Sequence, residues 1–226
     1  MLFSNSNYSK EKKMAILENR VIKNRIYDVP RTCNWSPRDR SWDQVDTIVV
    51  HQTDSSCRDP ETQIIDTAKY HISKGWCSIG YHIYIDQNGV IYQVNNLKDR
   101  GAHAGNDNDY TIGIVICGDH RLRDGATNED IIPKKQYKAL VWTIAHIQNL
   151  FPQFKKILGH TTLAPKSRTC PNLHISELVS DVKKKKDNQT NYNLGISGFI
   201  IWLYNKYREE NSLLQLEKDY ENYINN

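Results

Sequence analysis

His160 and Cys170 stand ten residues apart in Gly159-His-Thr-Thr-Leu-Ala-Pro-Lys-Ser-Arg-Thr-Cys-Pro171, a loop stiffened by two prolines. Hydrolytic zinc sites take three protein ligands from His, Cys or carboxylate and leave the fourth position open. Two of the ligands commonly sit close in sequence while the third comes from a distant strand. His51, at the carboxyl end of Thr47-Ile48-Val49-Val50, is placed to be that third ligand. Spacing alone is a weak signal, because eight histidines offer many triples and a lone His or Cys is more often structural.

The elements that must position these residues are readable. Thr47–Val50 is a short β-branched run, as expected of a buried central strand. Asp59-Pro60-Glu61 is a helix start, with Ile64, Ile65, Ala68 and Ile72 on one face and Gly75 as the stop. Tyr81–Ile85 and Val90–Val94 read as strands of a hairpin around Asp86-Gln87-Asn88-Gly89. Thr111–Cys117 is another buried strand, Pro133–Leu150 a long helix, and a last short helix is expected after Asn172. Interspersed strands and helices predict an α/β chain with a central mixed sheet flanked by helices.

The chain of 226 residues has 38% hydrophobic and 25% charged residues, which excludes collagen-like, fully disordered and polytopic membrane classes. Its formal net charge is +4, and without the run Lys183–Lys186 the charges balance, so a broad nucleic-acid-binding face is not expected. Five cysteines without a CxxC, in a chain showing no apolar leader, read as unpaired, each a small buried hydrophobe except Cys170. The longest apolar stretch, Leu194–Tyr204, is about half of the ~20 residues a membrane span needs. Synthesis in the cytoplasm follows as the expectation. The predicted organisation is an N-terminal helical extension over 1–31, a main domain over 32–182, a polar linker over 183–193 and a C-terminal helical segment over 194–226. The apolar block of that last segment suggests self-association.

Four ordered blocks change the weight of the triad. These are Ile48-Val-Val-His51-Gln-Thr53, Trp76-Cys-Ser-Ile-Gly80-Tyr81-His82, Gly101-Ala-His103-Ala-Gly105 with Asn108 and Thr111-Ile-Gly113-Ile114, and Gly159-His160 through Cys170-Pro171. Together they resemble the zinc-dependent N-acetylmuramoyl-L-alanine amidase family, shared by phage lysins, bacterial wall amidases and peptidoglycan recognition proteins, over roughly 32–178. The resemblance implies a groove over a zinc ion (Zn2+) held by His51, His160 and Cys170. Two neutral imidazoles and a thiolate would leave that centre near +1, a Lewis acid for amide hydrolysis.

The same resemblance implies that Tyr81 and a cation stabilise the oxyanion. Loop length selects Arg168 for the cation, with Lys166 the alternative, and the two are not interchangeable. His103 and Asn108 match groove residues that hold the muramyl-peptide, and His82 is expected on the opposite face as a core histidine. Val115 stands where some members carry a glutamate base. The implied activity is cleavage between N-acetylmuramic acid and L-alanine in peptidoglycan, with a bacteriolytic phage or prophage endolysin acting on the cell wall as the first reading. A non-catalytic peptidoglycan-binding module and an intracellular muropeptide-recycling amidase are the alternatives.

Overall fold

The computed structural model describes residues 22–26, 28–33, 40–121, 124–164 and 170–192. Six strands form one mixed sheet: β1 (Ile22–Asn24), β2 (Thr47–Gln52), β3 (Ile83–Ile85), β4 (Ile91–Gln93), β5 (Thr111–Ile116) and β6 (Lys156–Gly159). Their spatial order is β1-β4-β3-β5-β2-β6. Only the β3–β4 hairpin is antiparallel; the other neighbours are parallel. The helices are α1 (Pro60–Ser73), α2 (Asn128–Ile131), α3 (Lys134–Leu150), α4 (His160–Leu163) and α5 (Ile175–Tyr192).

Alternation along the strands separates two cores. Ile48 and Val50 of β2 and Ile112, Ile114 and Ile116 of β5 pack with Leu140 and Ile144 of α3 and with Leu178 and Val182 of α5. Val115 and Cys117 point the other way, to Tyr84, Tyr92 and, from α1, Ile64 and Ala68. The sheet is thus buried on both faces, which is why its central strands read as continuous apolar runs.

Local chemistry sets the connections. Asp59 caps α1 by accepting from the Thr62 N–H at 2.9 Å, with Pro60 in the first turn. In the hairpin turn the Asp86 carboxylate accepts from the Asn88 and Val90 N–H groups at 2.9 and 2.8 Å, and Gly89 takes φ +80.

Several expectations change. β3 is shorter than the predicted 81–85, so Tyr81 and His82 lie in the segment before it. The end of the N-terminal extension is not helical, because Ile22–Asn24 pairs in parallel with Ile91–Gln93 as an edge strand. The last helix is long and runs through Lys183–Lys186 to Tyr192, where a polar linker was expected. Val182 is the last α5 side chain in the core. Residues 1–183 form one compact unit and 184–226 a second, of which the structure describes only the end of α5. Residues 1–21 of the predicted helical extension and the segment 194–226, for which self-association was expected, lie outside the described residues. Among the described residues no helix is long and apolar enough to cross a membrane.

The cysteines are also corrected. Cys33–Cys77 and Cys57–Cys117 are disulfides, with Cα separations of 4.9 and 5.5 Å across sequence gaps of 44 and 60. Pairing is set by where the sheet brings the chain together, and spacing carried no trace of it. The odd count arises because Cys170 is free.

Candidate metal centre

The sheet register builds the site. In the β2–β6 pair Val50 lies beside Gly159, so the residues that follow them, His51 within β2 and His160 at the start of α4, fall side by side. Their ring centroids are 4.5 Å apart. Cys170 returns over this edge: its carbonyl accepts from the Thr161 N–H at 3.0 Å, and its Sγ accepts from the Gln52 N–H at 3.3 Å. A Cβ at Gly159 would lie 3.0 Å from the Pro171 ring, so the bare glycine lets this turn close. The three sequence-predicted donors therefore converge, with all ligand atoms within 4.8 Å of one another and His51 Nδ1 3.8 Å from Cys170 Sγ. An ion bonded to nitrogen at about 2.0 Å and to sulfur at about 2.3 Å can bridge such a set.

Electrostatics fit a cation. Burial first, and then neighbouring His160, His82 and His71, keep the His51 imidazole neutral well below its usual range. Burial also lowers His160. Both rings thus keep a lone pair for ligation. Burial pushes the Cys170 thiol up to about 11, with the Gln52 N–H pulling against it. Ionising it needs a positive charge beside it, which a bound divalent ion supplies.

Tyr81 stands beside this triad, its ring centroid 5.1 Å from that of His51. Burial first, and then Cys170, raise its pKa, so the hydroxyl stays a proton donor. Its segment is tightly held. Asn95 Nδ2 donates to the Ile79 and Tyr81 carbonyls at 2.6 Å each, and the Gly80 N–H donates to His71 Nδ1 at 3.0 Å. A Cβ at Gly80 would lie 2.0 Å from the Ala102 carbonyl oxygen, so no larger residue fits there. His71 and Asn95 were not singled out from sequence. For His71 a signal existed: it continues the Ile64, Ala68 stripe of α1 at helical spacing.

His82 is the expected core histidine, fully buried. Its Nδ1 accepts from the Gly113 N–H at 2.9 Å and its Nε2–H donates to the Asp99 carbonyl at 2.9 Å. His103 and Asn108 are both buried, and His103 Nδ1 lies 3.1 Å from His51 Nε2. Asn108 Oδ1 accepts from the His103 and Ala104 N–H groups at 2.9 Å each, and its Nδ2 donates to the Gly105 carbonyl at 2.6 Å. Arg168 and Lys166 lie outside the described residues.

Buried neutral histidines make the fold acid-sensitive. Burial lowers His82 to about 3 and His71 to about 4 from an unfolded value of 6.5. Unfolded chains bind these protons and the fold does not, so stability is full above pH 6.5 and falls as pH drops towards the folded values. Each histidine removes about 1.4 kcal/mol per pH unit once its unfolded form is charged, so these two alone should cost metal-free protein about 2 kcal/mol between pH 6 and 5, and the other histidines lowered by burial add to that loss. Urea midpoints at the two pH values measure this, and a flat profile down to pH 4 would show that these rings are solvated.

A mixed sheet with His51, His160 and Cys170 brought together at one end of its parallel strands defines an α/β fold with a group of side chains that could hold a metal ion. The chain belongs to the N-acetylmuramoyl-L-alanine amidase family (Amidase_2), whose model matches residues 41–173. Peptidoglycan recognition protein 1 of Bos taurus is 32% identical over 81 residues, 34% of this chain and 43% of that protein. Peptidoglycan-recognition protein LB of Drosophila melanogaster is 31% identical over 118 residues, 51% of this chain and 47% of that protein. The matched stretch thus spans about half the length of these curated relatives. Among solved structures, the amidase LysC from Clostridium intestinale superposes with a TM-score of 0.55 at 22% identity, over 73% of this chain and 99% of that one. Drosophila PGRP-LB superposes with a TM-score of 0.51 at 24% identity, over 66% and 86%. At these identities the superpositions show the shared fold.

Proposed function

We propose that the chain is a zinc-dependent N-acetylmuramoyl-L-alanine amidase, hydrolysing the amide between the lactyl group of N-acetylmuramic acid and the L-alanine of the stem peptide, and that it serves as a phage or prophage endolysin. The observation that carries this reading is the convergence of His51, His160 and Cys170 within 4.8 Å beside Tyr81. Family membership supports it. So do the names of similar folds: one is an endolysin amidase, LysCS of Clostridium intestinale, and PGRP-LB has been solved with tracheal cytotoxin.

His51, His160 and Cys170 would hold the ion, which supplies Lewis acidity towards an amide carbonyl. Tyr81 donates its hydroxyl proton in a hydrogen bond to the carbonyl oxygen as negative charge develops there. Arg168 is assigned the same task on the sequence pattern, with Lys166 the alternative cation. The two disulfides support work outside a reducing cytoplasm, on the wall side, where such bonds persist.

The test is release of new L-alanyl amino termini from purified sacculi, identified by mass spectrometry. Chelation should abolish release and zinc should restore it. Retention on sacculi with no amine release at any zinc loading would replace the amidase reading with that of a binding module. Cleavage of soluble muropeptides alone would replace the endolysin with a recycling enzyme.

A further inference from the structure

His51 Nε2 lies 3.1 Å from His103 Nδ1, and both rings are buried, 1% and 7% exposed. The polarity of this hydrogen bond decides whether His51 can act as a ligand. Its Nδ1 faces Cys170 Sγ and belongs to the triad. If Nδ1 is to offer a lone pair, the ring proton must sit on Nε2 and be donated to His103 Nδ1. The opposite polarity would place the His51 proton on Nδ1 and close that atom to a metal.

The fold holds the His103 ring in place by several devices. β5 carries a glycine at its centre, where a side chain would ordinarily strengthen a strand; such a glycine marks close approach by another group. A Cβ at Gly113 would lie 2.7 Å from His103 Cγ, and its three nearest atoms would all belong to that ring. A Cβ at Gly101 would lie 3.2 Å from His103 Cδ2. Asn108 fixes the backbone on either side of the ring by accepting from the His103 and Ala104 N–H groups. Among the described residues His103 Nε2 has no hydrogen-bond partner, and Nδ1 is the ring nitrogen that has one.

The geometry points to His103 as a positioning residue: its Nδ1 accepts the Nε2 proton of His51, fixing the tautomer and ring orientation that present His51 Nδ1 to a metal ion. This rests on the reading of His51, His160 and Cys170 as a metal site. It assigns His103 Nδ1 a place behind the ligand.

The full chain carrying His103→Phe keeps a ring of similar shape without an acceptor. His103→Asn places Oδ1 where Nδ1 stood, whereas His103→Gln places its amide oxygen further out, near the Nε2 position. Zinc affinity is read by competition with a chromophoric chelator. Loss of a ligand's hydrogen-bond partner ordinarily lowers affinity 10–100-fold. His103→Phe and His103→Gln are expected to fall in that range, and His103→Asn to stay within about threefold of wild type. Nitrogen-15 NMR of the zinc-loaded wild type should show His51 protonated on Nε2 and His103 with an unprotonated Nδ1.

Equal affinity in all three variants, or a protonated Nδ1 on His103, would overturn the inference. If His103→Phe does not fold, the Asn and Gln pair and the wild-type spectrum decide it. Failure of the wild type itself to bind zinc would overturn the metal reading instead, which keeps the two outcomes distinct.

Discussion

Replacing Cys170 by serine is expected to weaken zinc binding by roughly 100-fold or more, since even losing a hydrogen-bond partner of a ligand lowers affinity 10–100-fold. The thiol is the one donor of the triad able to carry negative charge, and a serine hydroxyl does not ionise to replace it. Release of L-alanyl amines from sacculi should fall in parallel. The far-ultraviolet circular dichroism and the urea midpoint of the metal-free variant should stay near wild type, because the cores on both sheet faces close without an ion. Serine keeps nearly the same volume in the turn over Gly159. Full zinc affinity in the variant would remove Cys170 from the ligand set. A collapse of the metal-free fold would make it a structural residue.

Opening the disulfides, by contrast, should lower the stability of the fold itself. A crosslink restricts the unfolded chain, and for gaps of 44 and 60 residues chain entropy gives roughly 4 kcal/mol each, with measured values centred on about 2–4. The double substitution Cys57→Ala and Cys117→Ala avoids leaving a free thiol. It is expected to lower the unfolding free energy by about 2–4 kcal/mol at pH 7, read from urea curves. Dithiothreitol treatment of wild type should reproduce that loss and add the contribution of Cys33–Cys77. A change below about 0.5 kcal/mol would show that the bond adds nothing to the fold.

The triad was legible because its three donors sit in ordered blocks that resemble a known family, where spacing alone was a weak signal. The β-branched run before His51 announces a buried strand, and Gly159-His160 follows the apolar pair Ile157-Leu158. Strand parity then places both rings on one face. The pairs Cys33–Cys77 and Cys57–Cys117 had no such local signal, since tertiary proximity alone selects them. The setting of His103 was hidden for a similar reason. Its loop is not periodic, so sequence cannot say whether the ring looks outward or in, although the glycine inside Thr-Ile-Gly-Ile-Val-Ile was a visible trace of what packs there. Lys183–Lys186 read as a linker because it is polar, yet lysine is a good helix former and simply continues α5 beyond the core. β1 has three residues, too few for a period-two pattern to show.

His51 and Cys170 are 119 residues apart, and they meet only once β5, β2 and β6 have paired in parallel. Such long-range pairing forms late and slowly, after the loop-closure entropy has been met. The unfolded chain therefore holds no preformed three-donor site, since only His160 and Cys170 are near one another in sequence. On the proposed metal reading, an ion would be taken up by a chain that is already native and would then deepen the native basin by mass action, about 2.7 kcal/mol at a hundredfold excess over its dissociation constant. Metal loading would then be a separate event in the life of the molecule, governed by the supply of the ion around the folded protein.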